Sequence, residues 1–393
     1  MVECLYHENI NNWTKNYKRR LVMRLASFNV ENMFERASIM NLSTWDEGGQ
    51  VLQDFADLSD LIQKQQYSQN DRDKILDIMK RNKGLLTTGE SKHIRLNEIR
   101  GRLLKKRRNA PIEIGVNGRD EWIGWFELKR EPVKEAAIEN TARVISEVNS
   151  DIFCMVEVEN RIAANHFNDS VIPKVGGQKY GHVMLIDGND DRGIDVGIMT
   201  RESFDIKSIV SHVDDADAQG RIFSRDCVEY EITTPSGNKL LVLVNHFKSK
   251  GFGSQQENDA RRKRQAKRVR DIYEKRLNDG FEFMAIAGDL NDTPDREPLK
   301  PLLGDGSNLI DIMQHPDFTG DGRDGTHGNG TKNGKLDYIL MSPQLASRVQ
   351  TGGIERRGVW GGKNGDLFPH FPDIKTAKDA ASDHAALWVE LNL

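Results

Sequence analysis

Cysteine is scarce in this chain of 393 residues: there are three, Cys4, Cys154 and Cys227, with no CxxC spacing. So odd and sparse a set excludes a disulfide framework and a cysteine-built zinc site. Cys154, inside the apolar run Ile152–Val156, reads as a buried, inert thiol. No apolar run approaches the length of a membrane span. The first twenty-two residues carry Lys15, Lys18, Arg19 and Arg20 but no apolar stretch, so no Sec-type leader is expected there. They read as a loose extension ahead of Met23, or even an upstream start-codon artefact, and a cytoplasmic protein is expected. An excess of one charge is missing too. Lys and Arg total 56 against 60 Asp and Glu, a net charge of −4. That excludes a globally basic nucleic-acid binder and leaves room for a local basic patch. With 37% hydrophobic and 30% charged residues, the chain reads as soluble and globular, with ample length to bury a core.

Short apolar runs, each ending in polar residues, predict strands at 24–30, 152–158, 182–187, 194–199, 228–232, 240–247, 283–288, 336–341 and 386–391. Helical faces lie between some of them. Ile138, Ala142, Ile145 and Val148 share one within 133–149; Ala266, Val269, Ile272, Tyr273 and Leu277 share another within 260–277. Strand and helix alternate with hairpin-like pairs, which predicts an α/β architecture with mixed sheets. Residues 36–132 break this rhythm. They hold helical patterns around Val51-Phe55-Leu58-Ile62 and Ile75-Met79, then the basic stretch Lys105–Arg108. A hairpin is expected between Ile112–Val116 and Trp122–Phe126, with its turn at Asn117-Gly118. The segment reads as an insertion packed on the main fold, too sparse in apolar residues to argue for a separate domain.

Six strand ends carry chemistry. In Gly288-Asp289-Leu290-Asn291, an acid and an amide two apart point the same way into a cleft. Asp289 can accept a proton or orient water, and Asn291 can donate to a phosphate oxygen; an Asx turn is the plain alternative. Asp383-His384 sets a carboxylate beside an imidazole ahead of the last strand. Asp337 lies within an apolar strand, where a carboxylate is costly unless paired, and His384 is the candidate partner. Glu157 and Glu159 share a face by the two-residue period at the end of a buried strand, a plausible hard-metal position. His246, with Lys248 and Lys250 after it, could meet a phosphate. Asn29 and Glu31 share a face at the first strand's end. What strengthens each is the common position, since ligands gather at strand ends in sheet-based folds.

In order, FNVEN, VEVEN, NHFKSKG, GDLNDTPD, KLDYILMS and SDH resemble the endonuclease/exonuclease/phosphatase superfamily, whose members include DNase-I-like nucleases, inositol polyphosphate 5-phosphatases and sphingomyelinases. Bacterial secreted nuclease-like members look most similar. The resemblance covers residues 24–393 apart from the 36–132 insertion, within a domain set at 23–393. It implies a four-layer α/β sandwich with two stacked mixed β-sheets flanked by helices. It also implies a metal site at Glu157 with Asn29, Glu31 and Asp383. The catalytic set it implies is His246, Asp289, Asn291, Asp337 and His384, with Arg192 and Lys248 on the phosphate side. All-oxygen ligands suit Mg²⁺ or Mn²⁺ better than Zn²⁺. The residues leave open whether Asp289 or His384 takes the proton. The function implied is a nuclease cleaving DNA or RNA by in-line water attack, with nucleic acid as partner; the alternative is a phosphoesterase for a small phosphorylated metabolite or lipid headgroup. A catalytically dead scaffold is disfavoured, since no motif residue is missing. The run Arg261–Arg276 holds nine basic and two acidic residues and reads either as a nucleic-acid backbone contact or as a solvated helix face. Trp360 and Leu367–Phe371 form the one candidate lipid contact, and Thr326-His327 stands where family members often place an aromatic substrate contact.

Overall fold

The computed structural model describes residues 22–41, 45–190, 192–251 and 254–393, with the side chains of 40–47 left out. Most of the predicted extension therefore lies outside the described residues. Val22 belongs to the first strand, where it pairs with Asn392.

The chain divides into two compact units. The larger holds residues up to Phe34, then Val133–Lys250 and Gln256–Leu393. Its elements are β1 (Val22–Asn29), α1 (Glu135–Val148), β2 (Ile152–Val158), β3 (His182–Ile186), β4 (Asp195–Thr200), β5 (Asp205–Val210), β6 (Cys227–Thr233), β7 (Lys239–His246), α2 (Gln255–Asn278), β8 (Phe283–Asp289), β9 (Ile310–Asp311), β10 (Phe318–Thr319), β11 (Asp337–Met341), β12 (Val349–Glu355) and β13 (Ala386–Asn392). One sheet runs β10-β12-β13-β1-β2-β4-β3 and the other β5-β6-β7-β8-β11-β9. Both are mixed: β1 lies parallel to β2 and β7 parallel to β8, while their outer neighbours are antiparallel.

Side-chain alternation explains the layering. In β7, Leu240, Val242 and Val244 face the other sheet, where Leu25, Cys154, Val156 and Val196 join the same core. The intervening Leu241 and Leu243 pack with Ala266, Val269 and Ile272 of α2. On the far side, Ala26, Phe28 and Phe153 pack with Ala142, Ile145 and Val148 of α1. Helix, sheet, sheet and helix make four layers. Burial pushes the Cys154 thiol up, out of reactive range.

Four strands of the two large sheets went unpredicted: the two-residue β9 and β10, and the longer β5 and β12. β5 is half exposed and short of apolar alternation. β12 contains Gly352-Gly353, because a side chain at Gly353 would lie 2.5 Å from the Trp388 ring.

The second unit is Glu35–Pro132 with Gly251–Gln255. It has its own core, in which Phe55, Leu58 and Ile62 of Trp45–Ile62 meet Ile75 and Met79 of Gln69–Arg81, together with Trp122 and Phe126. The expected hairpin is corrected here. Ile123–Leu128 pairs with Ile94–Arg100, and Glu113–Ile114 pairs with Leu104–Lys105. Asn117-Gly118 is not a hairpin turn; Asn117 is tied to Glu121 through both its backbone and its amide, and Trp122 donates to Tyr67 at 3.0 Å. Among the described residues no helix is long and apolar enough to cross a membrane.

Candidate active site

The parity that fills the inter-sheet core carries on past the ends of the strands. Asn29 follows Leu25, His246 follows Val244, Asp289 follows Ala287, and Asp337 precedes Ile339, so all four turn toward the space between the sheets. Register sets His246 beside Asp289 and Asp289 beside Asp337. Glu157 would face the other way, like Met155, if β2 stayed regular. Its φ of 62° turns it instead, so that its Oε1 lies 3.5 Å from His246 Nε2. Glu31, Asn32 and Asn291 share this left-handed conformation, with φ of 51°, 67° and 52°. Glu157 and Glu159 therefore diverge instead of sharing a face. The Glu159 carboxylate accepts from the backbone N–H groups of Met33 and Phe34.

Asp289 is the hub. Asn29 Nδ2 donates to its Oδ2 at 3.3 Å, and Asn291 donates to both its oxygens, from N at 2.8 Å and Nδ2 at 3.1 Å. Asn291 Nδ2 also reaches the Phe247 carbonyl, so this amide fixes Asp289 where a direct phosphate contact was expected. His246 Nε2 and His384 Nε2 stand 3.7 and 4.0 Å from Asp289 Oδ2. His384 Nδ1 meets Asp337 Oδ2 at 2.8 Å, the pairing expected from sequence. Ser382 Oγ ties this last loop to β1 by donating to the Asn29 carbonyl, and the Asp383 N–H reaches Glu31.

Burial and charge then set the protonation states. Burial, with Asp337 alongside, pushes the Asp289 carboxyl up, against the pull of His384. Burial alone would lower His384, but Asp337 and Asp383 hold it well above the usual imidazole range. His246 goes the other way: burial, with Arg225 and Arg192 near, drives it well below that range.

The phosphate-side residues form a cationic group. Arg192 grips Asp190 through Nε and Nη2, both at 2.9 Å, and the fully buried Arg225 reaches the same carboxylate at 3.0 Å. Arg225 also donates to the Phe247 carbonyl. Burial, reinforced by these two arginines, brings the Lys248 amine down to about 7.

The sequence reading missed Arg225 and Asp190, and it placed Thr326-His327 beside the site without their partners. Thr326 Oγ1 donates to Asp337 Oδ2 at 2.5 Å, opposite His384. His327 Nε2 stands 3.1 Å from Asp383 and its ring meets His384 edge to face, 4.7 Å between centroids. Only the irregular pairing of His327 with His384 reveals this contact, which lies 57 positions apart in sequence.

The residues present fit a divalent cation. Glu157, Asp289 and Asp337 crowd one buried space, and Asp337 Oδ1 lacks a hydrogen-bond partner there. Among the described residues the tightest possible ligand groups are Asp289, Asp337 and His384, and His327, Asp383 and His384. Neither contains Glu157, whose Oε1 lies beside His246 Nε2.

Much of the charge of the basic helix is paired. Arg262 is buried against Asp292, and Lys263, Arg264, Arg268 and Arg276 pair with Glu297, Asp217, Asp215 and Glu229. The apolar stretch is also internally engaged: Trp360 stacks on His370, and Arg323 and Arg356 cover Phe368.

No curated protein matches the sequence. Among solved structures, a mannosyl-6-phosphatase of Bacteroides thetaiotaomicron superposes with a TM-score of 0.48 at 18% identity, covering 65% of this chain and 91% of that one. The human Nocturnin catalytic domain with bound sulfate gives 0.45 at 16%, covering 66% and 87%. A truncated TDP2 of Caenorhabditis elegans gives 0.44 at 15%, covering 65% and 90%. The model of the Endonuclease/Exonuclease/phosphatase family matches residues 128–315. That segment holds Glu157, His246, Asp289 and Asn291, and the motifs on either side supply Asn29, Asp337 and His384. With these motifs converging on one end of two stacked sheets, the chain is similar over residues 128–315 to the endonuclease/exonuclease/phosphatase family and shares its fold.

Proposed function

We propose that this protein is a Mg²⁺- or Mn²⁺-dependent phosphodiesterase, a nuclease that hydrolyses DNA or RNA. The carrying observation is His384, held by Asp337 at 2.8 Å through Nδ1 while its Nε2 faces the buried Asp289. That sets an imidazole, oriented and kept protonated by one carboxylate, against a second carboxyl whose hold on a proton is also raised. Glu157 with Asn29, assisted by Glu31 and Asp383, would hold the cation. When bound, the cation would polarise the phosphoryl group and lower the barrier to water attack.

The chain's own groups do the rest. Asp289, its affinity for a proton raised, orients the attacking water and accepts its proton. His384, kept protonated by the negative charge of its carboxylate neighbours, donates to a non-bridging phosphate oxygen. His246, kept neutral, sits near the leaving oxygen. Arg192 and Lys248, with Arg225 behind them, favour an anionic substrate. The cytoplasmic setting expected from the sequence is part of the proposal.

A second reading is a phosphoesterase for a small phosphorylated metabolite or headgroup. The internally paired basic helix favours it, since those charges are not free to follow a polymer backbone. Purified protein with Mg²⁺, Mn²⁺ or EDTA, offered plasmid DNA, single-stranded DNA, RNA, bis-p-nitrophenyl phosphate and p-nitrophenyl phosphate, separates the two. Polynucleotide cleavage that needs metal and vanishes in Asp289→Ala and His384→Ala is expected. Cleavage of the monoester alone would remove the nuclease, and full activity in both variants would remove the site.

A further inference from the structure

The second unit carries a surface that the hydrolytic chemistry does not use. The strands Ile94–Arg100 and Ile123–Leu128 turn Ile94, Phe126 and Leu128 into that unit's core. Their other face stays open. Trp125 is 42% exposed and Ile123 37%, and Ile99, at the irregularity between Glu98 and Arg100, is 70% exposed. Six large hydrophobic residues are exposed among the described residues, and three of them sit on this one hairpin. Asn97 lies opposite Trp125, Arg95 opposite Glu127, and Arg100 opposite Ile123.

The chain between 92 and 108 is the most basic stretch outside helix α2. It holds eight Lys or Arg and one acid. Glu90, Glu113 and Glu127 stand near, which leaves an excess of about four positive charges. Arg102 and Arg107 are mostly out in solvent and Arg95 is half exposed, and Lys105 and Arg107 approach Glu113 only at 3.5 and 3.8 Å. Exposed ion pairs of this kind exchange readily for other anions.

We propose that this hairpin face docks single-stranded nucleic acid, with Trp125 stacking an unpaired base while Arg95, Arg100 and Arg102 follow the phosphates. The inference extends the nuclease reading and rests on it for the ligand class. A flat strand face with an aromatic ring and flanking arginines suits splayed bases, which offer π-faces that a duplex hides. Lipid insertion is disfavoured. The aromatic stands on a paired strand next to Glu127 and Asn97 and not at a loop tip, and a charged row runs across the same face.

The test uses the full chain in EDTA, with fluorescein-labelled single-stranded dT and rU 15-mers followed by anisotropy across a salt series. Binding that weakens steeply with salt is expected. Trp125→Ala should bind about ten-fold or more weakly, Trp125→Phe close to wild type, and Arg95→Glu with Arg100→Glu weakly with a flatter salt slope. All should hydrolyse bis-p-nitrophenyl phosphate like wild type, which reports intact folding and separates this surface from the catalytic site. An oligonucleotide affinity unchanged by Trp125→Ala overturns the docking face, whatever the hydrolysis result. Trp125-dependent binding to phosphatidylserine vesicles without oligonucleotide binding overturns it in favour of a membrane. Oligonucleotide binding by a protein that hydrolyses no phosphodiester keeps the face and sinks the nuclease.

Discussion

At the scale of single residues, the site works by making neighbouring groups disagree about protons. Asp337 serves His384 and nothing else of catalytic weight, since Thr326 holds its Oδ2 from the other side. Asp337→Asn should keep the shape and lose the charge. We expect kcat to fall about 10²- to 10⁴-fold with little change in melting temperature. Unchanged turnover under saturating metal would show His384 to be structural. Asp195 offers a test by stability. Burial, with Asp187 and Asp190 nearby, raises its carboxyl from 3.8 to about 7, opposed by the Gly188 N–H. A carboxyl raised in the fold holds its proton longer than in the unfolded chain, so stability falls as pH climbs between these values and then levels. Asp195→Asn, which can still accept from Gly188, should match wild type at pH 4. At pH 8 it should be more stable, on the order of 2–4 kcal/mol. A pH-independent difference in urea midpoint would refute that. Most of these residues could be read from sequence because polar groups at the ends of apolar strands are conspicuous. Arg225 could not, and His327 was placed without its role, because each gains its meaning from a partner distant in the chain.

At the scale of elements, α2 shows how composition misleads. Nine basic residues suggest a polyanion contact, yet the acids that neutralise them come from other segments, as with Asp217 for Arg264 and Glu229 for Arg276. No helical spacing reveals those partners. Arg262 and Asp292 are both fully buried, with Lys250 and Arg296 also on Asp292. Arg262→Ala strips Asp292 Oδ2 of its partner while Lys250 and Arg296 remain on Oδ1, and should cost roughly 2–3 kcal/mol in urea unfolding. Gln at Lys263, Lys267 and Arg270 together should leave polynucleotide cleavage and its salt dependence as in wild type; a flattened salt slope would return this helix to the substrate. Strands of the main sheets were readable because β2, β7 and β8 are almost wholly apolar. The hairpin of the second unit was not, because local turn chemistry at Asn117-Gly118 favoured the wrong pairing, while the actual one joins segments more than twenty residues apart.

At the scale of the whole molecule, the two units each own a core, and every residue of the candidate site belongs to the larger one. Calorimetry should therefore resolve two transitions. Adding Mg²⁺ or Mn²⁺ should raise one of them, by mass action on the folded form alone. His384→Ala should leave that shift in place, whereas Glu157→Gln should remove it. A single transition, or one equally moved in Glu157→Gln, would count against the cation assignment. The left-handed backbone at Glu31 and Glu157 has a last consequence. Glutamate is a poor occupant of that conformation, and glycine or asparagine fits it with less strain. A library selected only for heat resistance should drift toward glycine at 31 and 157, shedding activity as it gains melting temperature. Such a drift would let laboratory evolution map the reactive end of the sheets without a substrate in hand.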